Sequence, residues 1–191
     1  MQDDAGAGSL RYGAFLRGLI HNPKGVSAPT PSSPSLAEAI AAELDLSRPG
    51  LVIELGPGTG AVTAALIHRV GSTRILAIER ERGFVAALRT RFPQMDVRSG
   101  DALNFERFLP PQAAVAAVVS GLPLLHLPQA TRRSLLARAL NCQPKGGLFI
   151  QLSYSWRPPV KADDGVTLSK RAVWQNFPPA HVWTYKSAIN S

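Results

Sequence analysis

A glycine-rich turn between a strand pattern and a helix pattern is the strongest chemical signal in this sequence. The segment Glu54–Gly60 reads ELGPGTG; it ends the apolar run Leu51–Leu55 and precedes a helical pattern over Ala61–Val70. Glycines at such a turn let the backbone bend tightly and approach a ligand without a Cβ in the way. The spacing is not the Gly-x-Gly-x-x-Gly dinucleotide motif, and no phosphate loop follows. The turn therefore predicts a ligand site that has no phosphate clamp.

Two acidic residues follow the next two predicted strands. Glu79 comes directly after the strand Arg74–Ile78, and Asp101 follows the strand Met95–Ser99. Because the carboxyl ends of neighbouring parallel strands meet in one crevice, both carboxylates should face the glycine turn. The first can accept both hydroxyls of a ribose, and the second can accept the amine of adenine. The three features together predict an adenosine ligand with an uncharged linker.

The chain that positions these residues has an α/β pattern from Ser35 onward. Helical and strand patterns alternate there, which indicates a mainly parallel sheet. Ser35 and Glu38 form a capping box that predicts a helix over Leu36–Leu44. The apolar run Ala113–Ser120 is typical of a central strand covered on both faces.

The two ends of the chain differ from this repeating pattern. Arg171–Asn176 and Ala180–Lys186 predict two terminal strands joined by a hairpin-like turn. Residues 1–34 hold a short helical pattern and then a Pro/Ser-rich stretch. We therefore predict an N-terminal amphipathic helix and lid segment over 1–34, and a catalytic domain over 35–191.

Composition restricts the class of protein. The chain has 191 residues, 45% of them hydrophobic and 18% charged, which is typical of one globular domain. A single cysteine excludes a disulfide framework, and no apolar run reaches the roughly 20 residues of a membrane span. The N-terminus does not read as a signal peptide. The net charge of +8 favours a polyanionic partner, either nucleic acid or an anionic membrane surface.

The glycine turn and the two strand-end carboxylates resemble class I S-adenosylmethionine-dependent methyltransferases over roughly Leu51 to Lys186. The resemblance implies a Rossmann-like, seven-stranded, mainly parallel sheet with an antiparallel last strand. It also implies S-adenosyl-L-methionine as cofactor and S-adenosyl-L-homocysteine as product. The residues expected to contact the cofactor are Glu54, Gly56, Gly58, Gly60, Glu79, Arg80, Asp101, Ala102 and Ser120.

The segment after the fourth strand, Val119–Leu125, selects the methyl acceptor in this superfamily. It resembles the Asn-Leu-Pro-Tyr pattern of ribosomal RNA adenine N6-dimethyltransferases, with two departures. Gly121 replaces the asparagine that accepts the base amine, and Leu124 replaces the aromatic ring that stacks on a flipped base. An RNA methyltransferase is therefore the alternative interpretation, and we expect no nucleic-acid partner.

A second family resembles nearly the whole chain, namely the small bacterial phospholipid N-methyltransferases. The matching segments are Phe15–Arg17, Asn22-Pro23, Pro31–Ser33, Glu54–Gly60, Ser120–Leu125 and Asn176–Trp183. This resemblance implies methylation of phosphatidylethanolamine, or its methylated derivatives, towards phosphatidylcholine. It implies a cytoplasmic monomer that associates peripherally with the inner face of the cytoplasmic membrane.

The N-terminal helical pattern agrees with contact between the protein and a membrane. Tyr12, Phe15 and Leu19 lie on one stripe, whereas Arg17 lies off it and Lys24 follows. An amphipathic helix with cationic flanks suits the plane of a bilayer interface. The alternative is that the same stripe packs on the domain.

Methylation of an ethanolamine requires that its ammonium lose a proton. Tyrosines can hold an ammonium and relay that proton, so the candidates are Tyr12, Tyr154 and Tyr185. Gly121 keeps the segment Val119–Leu125, the acceptor loop, slim enough to admit the headgroup. His126 and His181 are alternative bases, although structural roles suit both. The candidates for holding the lipid phosphate are Arg17, Lys24, Arg157, Lys170 and Arg171. A methyltransferase fold without catalysis is a further alternative, against which the intact glycine turn argues.

Overall fold

The computed structural model describes residues 32–176 and 178–188, which form a seven-stranded sheet with helices on both faces. The strand order is β3-β2-β1-β4-β5-β7-β6. Strand β7 runs antiparallel to both of its neighbours, and the other pairs are parallel. The strands are β1 (Leu51–Leu55), β2 (Ile75–Glu79), β3 (Asp96–Ser99), β4 (Val115–Ser120), β5 (Leu148–Ser153), β6 (Val166–Val173) and β7 (Ala180–Ser187). The predicted fold, including the reversed last strand, is confirmed.

In the part of the chain that the structure describes, four α-helices and three short 3-10 turns cover the sheet. The helices are α1 (Pro34–Ala42), α2 (Ala61–Val70), α3 (Arg82–Arg91) and α4 (Gln129–Asn141); the 3-10 turns are Ser72–Arg74, Ala102–Phe108 and Leu124–His126. Helices α1 to α3 pack on one face through residues such as Ile40, Leu66 and Leu88. Helix α4 and the turn at Phe105 pack on the other face. Within the described ranges, we find no helix with the length and hydrophobicity needed to span a membrane.

Helix α1 begins two residues earlier than the capping box predicted. Its N-cap is Ser33, whose hydroxyl accepts a hydrogen bond from the backbone N–H of Leu36 at 3.2 Å. Pro34 occupies the first helical position, where its fixed φ suits a helix and its missing N–H costs nothing. The N–H of Ser33 donates to the side chain of Asn176 at 3.0 Å, so the start of α1 is attached to the turn between β6 and β7.

The strand register aligns one row of side chains across the sheet. Ser120 on β4 pairs with Gln151 on β5, Gln151 pairs with Trp183 on β7, and Trp183 pairs with Lys170 on β6. Paired residues point to the same face, and adjacent strands are about 4.8 Å apart. This row therefore extends on the α4 face from the end of β4 to the outer edge of the sheet.

Tyr185 lies far from the carboxyl ends of the parallel strands, which corrects its prediction as a catalytic residue. It pairs with Phe149 near the start of β5 and is fully buried. Its hydroxyl donates to the carbonyl of Val160 at 2.8 Å and accepts from the N–H of Val160 at 3.1 Å. Burial raises the pKa of Tyr185 to about 12, although the bond to Val160 opposes this shift. Tyr185 is a structural anchor for the segment between β5 and β6.

Replacing Tyr185 with Phe should lower stability and leave catalysis intact. The change removes the hydroxyl and leaves the buried N–H and C=O of Val160 without a partner, which costs about 1–3 kcal/mol. Urea denaturation measures the loss in the free energy of unfolding, and kcat of the folded variant measures the effect on chemistry. A kcat reduced 100-fold or more in folded Tyr185→Phe would restore the catalytic interpretation.

Candidate functional site

The glycine turn has the backbone geometry that its sequence predicts. Gly56, Gly58 and Gly60 all have positive φ, at 70°, 55° and 79°. A Cβ on Gly58 would meet no atom of the described residues within 4 Å, so among them open space lies in front of this residue. A Cβ on Gly60 would instead lie 2.8 Å from the Leu88 side chain of α3. Gly58 therefore faces a ligand site, whereas Gly60 allows close packing of the turn on α3, and its contact with a cofactor stays a prediction.

Glu79 at the end of β2 is held by the backbone on both of its carboxylate oxygens. One oxygen accepts from the N–H groups of Arg80 at 2.7 Å and Glu81 at 2.9 Å. The other accepts from the N–H of Gly58 at 3.1 Å. An ionised carboxylate offers about four lone-pair sites, so this one retains capacity for a hydroxyl donor. Because Glu79 is only 4% exposed, its position is fixed before any ligand binds.

Glu54 is a buried carboxylic acid beside a small cavity. The cavity has a volume of about 90 Å³ and is lined by residues that include Glu54, Gly56, Ser120 and Gly121. Burial raises the pKa of Glu54 to about 7; a hydrogen bond from Thr63 opposes the shift, and the charge of Glu79 adds to it. The Thr63 hydroxyl donates to Glu54 at 2.8 Å. A carboxyl group in this state would be stabilised in its ionised form by an ammonium group placed in the cavity.

The remaining predicted cofactor residues lie at the same edge of the sheet. Asp101 is exposed, and its carboxylate accepts from the N–H of Leu103 at 3.0 Å, which caps the 3-10 turn that begins at Ala102. Ala102 is buried, and Arg80 is exposed. Ser120 is buried at the end of β4, and its hydroxyl accepts from the N–H of Leu122 at 3.3 Å. The structure thus brings these residues to one edge of the sheet, and their contacts with a cofactor stay a prediction.

The loop after β4 packs directly on the glycine turn. The N–H of Gly121 donates to the carbonyl of Leu55 at 2.9 Å, and a Cβ on Gly121 would lie 2.8 Å from the carbonyl oxygen of Gly56. Real Cβ atoms essentially never come this close to a backbone oxygen. Gly121 is therefore required by the contact between two loops, which is a steric reason that the sequence did not reveal.

Gln151 on β5 supports the same loop, a role that the sequence patterns did not indicate. Its amide nitrogen donates to the carbonyl of Leu122 at 2.9 Å, whereas its buried amide oxygen has no partner among the described residues. No motif identifies this glutamine. A polar residue within the apolar run Leu148–Leu152 was the one available signal, and only the register places it beside Ser120.

The candidate proton acceptors and phosphate-binding cations separate in the structure. Tyr154 lies just beyond β5. Partial burial raises its pKa, although a side-chain hydrogen bond with Asn176 opposes the shift. The phenol therefore keeps its proton and acts more readily as a hydrogen-bond donor than as a base. His181 is buried on β7, and His126 is exposed in the 3-10 turn after the acceptor loop. Arg171 forms an ion pair with Glu43 at 3.1 Å.

Lys170 and Arg157 are the other two described cation candidates, and they differ in their surroundings. Lys170 lies against an aromatic cluster on β6 and β7, whereas Arg157 is exposed in the segment after β5. Tyr12, Phe15, Arg17, Leu19 and Lys24 lie outside the described residues, so their predicted roles stay predictions.

The site fits an adenosyl cofactor on its own geometry. Open space in front of Gly58 adjoins the carboxylate of Glu79, which would hold the ribose, and Asp101 lies at the neighbouring strand end. Glu54 beside its cavity would face an ammonium group, such as that of the methionine part. S-adenosylmethionine, when bound, supplies an electrophilic methyl group.

Comparisons with known proteins agree with this geometry. The family model described as a methyltransferase domain matches residues 52–147. An ornithine lipid N-methyltransferase of Singulisphaera acidiphila is 30% identical over 145 residues, which cover 73% of this chain and 76% of that protein. A ribosomal RNA small subunit methyltransferase A of Parasynechococcus marenigrum is 34% identical over 92 residues, but the match spans only 30% of its length.

A solved structure with the cofactor bound has the same fold. Magnesium protoporphyrin IX methyltransferase from Synechocystis PCC 6803, with bound S-adenosylmethionine, superimposes with a TM-score of 0.65. The match covers 95% of this chain and 97% of that one, at 11% identity. This chain belongs to the class I S-adenosylmethionine-dependent methyltransferases. It is therefore an enzyme that uses S-adenosylmethionine as cofactor.

Replacing Glu79 with Gln should weaken cofactor binding. An amide cannot accept from the backbone N–H groups and a ribose hydroxyl on both of its heavy atoms, so the expected loss is about 1–3 kcal/mol, or roughly tenfold to a hundredfold in Kd. Calorimetric titration with S-adenosylhomocysteine measures it. Glu81→Gln is the matched control, because Glu81 donates to Glu79 through its backbone N–H, which the substitution retains. Equal affinities of both variants and the wild type would remove Glu79 from the site.

The raised pKa of Glu54 makes stability depend on pH. Below about pH 4.5 the carboxyl is protonated in both states, and between about pH 4.5 and 7 only the folded state keeps the proton. The free energy of unfolding therefore falls as pH rises through this window, by up to about 3 kcal/mol. Glu54→Gln lacks this titration. Urea denaturation from pH 5 to 8 should find the variant gaining stability relative to the wild type as pH rises, and a constant difference would contradict the assignment.

Proposed function

We propose that this enzyme transfers methyl groups from S-adenosylmethionine to the amine of a membrane lipid headgroup, with phosphatidylethanolamine or its methylated derivatives as the substrates to test first. The observation that supports this most directly is the contact between Gly121 and Gly56. It leaves no room at the acceptor loop for the amide side chain that base-methylating enzymes use there. The match with the ornithine lipid N-methyltransferase, over about three quarters of each chain, supports an aliphatic amine acceptor.

The alternative, methylation of adenine in ribosomal RNA, has weaker support. The matches with two ribosomal RNA small subunit methyltransferases A span only 24% and 34% of those proteins. At the position of the stacking ring it has Leu124, which is 2% exposed and packs in the core. A flipped base would therefore meet neither an amide acceptor nor an aromatic face at this loop.

In the proposed reaction the chain contributes alignment and a dry environment. The hydrogen bonds of Gly121 to Leu55 and of Gln151 to Leu122 fix the loop relative to the glycine turn. An amine on the α4 side of this loop is then directed at the methyl group, and such alignment can reduce a barrier by several kcal/mol. The proton leaves the ammonium before attack, and His181, which lies on the same α4 face as Gln151, is a candidate to accept or relay it. Tyr154 packs on the opposite face.

Membrane association is part of the same proposal. The amphipathic stripe of Tyr12, Phe15 and Leu19 with the cations Arg17 and Lys24 suits an anionic bilayer surface, where each cation contributes about 1 kcal/mol. A lipid substrate requires such contact, because its amine never leaves the interface. The proposed location is the inner face of the cytoplasmic membrane, and the proposed state is a monomer.

The test is methyl transfer from labelled S-adenosylmethionine to three acceptors in parallel: phosphatidylethanolamine vesicles, ornithine lipid vesicles, and unmodified small-subunit ribosomal RNA. Label should appear in the chloroform phase with a lipid acceptor and be absent from the RNA. Glu79→Gln should reduce the transfer when the cofactor is limiting, which ties the signal to this site. Label in dimethyladenine, with none in either lipid, would overturn the proposal.

A further inference from the structure

A group of buried polar atoms without partners lies on the α4 face of β5 and β7. Both ring nitrogens of His181 and the indole nitrogen of Trp183 have no hydrogen-bond partner among the described residues, and neither has the amide oxygen of Gln151. These residues are 1%, 5% and 0% exposed, respectively. Buried polar groups are almost always hydrogen-bonded, and each unmade bond costs about 1–3 kcal/mol. Four such atoms on three neighbouring residues indicate a site that a polar ligand completes.

An aromatic wall and a cation surround this group. The ring of Trp156 lies 4.6 Å from that of His181, and the ammonium of Lys170 lies 5.1 Å from the Trp156 ring and 5.4 Å from the Trp183 ring. Trp156 is 60% exposed, in the segment after β5, so it covers the buried atoms from the solvent side. Movement of this exposed side chain, whose ring also packs on that of Trp174 at 5.6 Å, would open the buried atoms to a ligand.

The charge of the site selects an anionic group. Lys170 contributes a positive charge, and the pKa of His181 is lowered by burial and by Lys170, which keeps the imidazole neutral. The donors are the Lys170 ammonium, the Trp183 indole N–H and one N–H of His181. Two neutral N–H donors beside an ammonium are complementary to the anionic oxygens of a phosphodiester or a carboxylate.

The strand register relates this site to the acceptor loop. Lys170, Trp183, Gln151 and Ser120 form one row across four adjacent strands, each step being about 4.8 Å. The amide oxygen of Gln151 is thus one strand from Trp183 and one strand from the end of β4. A short aliphatic linker between an oxyanion and an amine can span one step of this row, which would leave the amine beside Gln151.

We propose that Lys170, Trp183 and His181 form a subsite for the anionic oxygens of a zwitterionic amine headgroup, covered by Trp156. The subsite rests on the proposed function, because it gives the lipid headgroup its orientation. The oxyanion lies at the β6–β7 end of the row, and the amine points towards the acceptor loop, where the Gln151 oxygen accepts an amine hydrogen. Lys170 and Trp183 bind and orient the headgroup and take no part in bond formation.

The first experiment reports on binding without any turnover. The indole N–H signal of Trp183 in the full-length, 15N-labelled protein, assigned with Trp183→Phe, is followed during titration with dihexanoylphosphatidylethanolamine, with inorganic phosphate, and with hexylamine. The signal should move with the two phosphate-containing probes and stay in place with hexylamine, which has an amine but no oxyanion. If the Trp183 signal moves with neither phosphate-containing probe, the proposed subsite is wrong, because the buried atoms are then hydrogen-bonded to water alone.

The second experiment separates the binding of the headgroup from the chemistry. Lys170→Met should raise KM for the lipid by about tenfold or more with kcat changed less than twofold, because one charged hydrogen bond is lost. Lys170→Arg should recover most of the loss. Lys186→Met is the matched control, because Lys186 is also exposed on the terminal hairpin but pairs with Leu148 at the opposite end of the sheet.

The outcomes distinguish this proposal from the proposed function. If the wild type methylates neither phosphatidylethanolamine nor ornithine lipid, the proposed function fails, and the titration alone decides on the subsite. If the wild type methylates lipid and Lys170→Met has the same KM as Lys186→Met, the subsite is wrong and the proposed function stands. A KM effect in only one of the two lipids identifies the oxyanion as a phosphodiester or as a carboxylate.

Discussion

The packing of two loops at the carboxyl ends of β1 and β4 is the constraint on which the site depends. The α-carbon of Gly121 faces the carbonyl oxygen of Gly56 at a distance that admits no side chain. The N–H of Gly121 and the carbonyl of Leu55 join the same two loops by a hydrogen bond. This contact fixes the acceptor loop relative to the cofactor turn, so that alignment for methyl transfer is present in the folded chain. The cost is that the loop cannot carry a side-chain acceptor of its own at this position.

The absence of that side chain moves the polar recognition of the acceptor to other strands. Gln151 on β5 holds the loop through its amide nitrogen, and its buried amide oxygen has no partner within the described ranges. Trp183 and His181 on β7 add further atoms on the same face that have no partner in the described part of the chain. These groups are close together because β7 is inserted antiparallel between β5 and β6, which makes the start of β7 adjacent to the end of β5.

The two buried carboxylates of the cofactor side differ in how they are stabilised. Glu79 receives three backbone N–H groups, which compensate for its burial. Glu54 receives one hydroxyl from Thr63, and its pKa is raised to about 7. Buried charge without compensation is costly, so Glu54 gains most from a cationic group in the adjoining cavity. An ammonium group in that cavity would stabilise the ionised carboxylate of Glu54, and this interaction would contribute to the affinity for the ligand.

The sequence alone determined the fold class and the cofactor edge of the site. The periodicity of apolar residues and the continuous apolar runs predicted the strands. The position of Glu79 after its strand placed it beside the glycine turn. Both inferences were possible because short segments of sequence carry the local pattern and the order of the parallel strands. The sequence did not reveal the burial of Tyr185, the packing role of Gly60, or the row from Ser120 to Lys170. These depend on which residues face each other across strands that are distant along the chain, and a register has no local signal. Only the tertiary structure decided that Gln151, Trp183 and Lys170 share one face beside the acceptor loop.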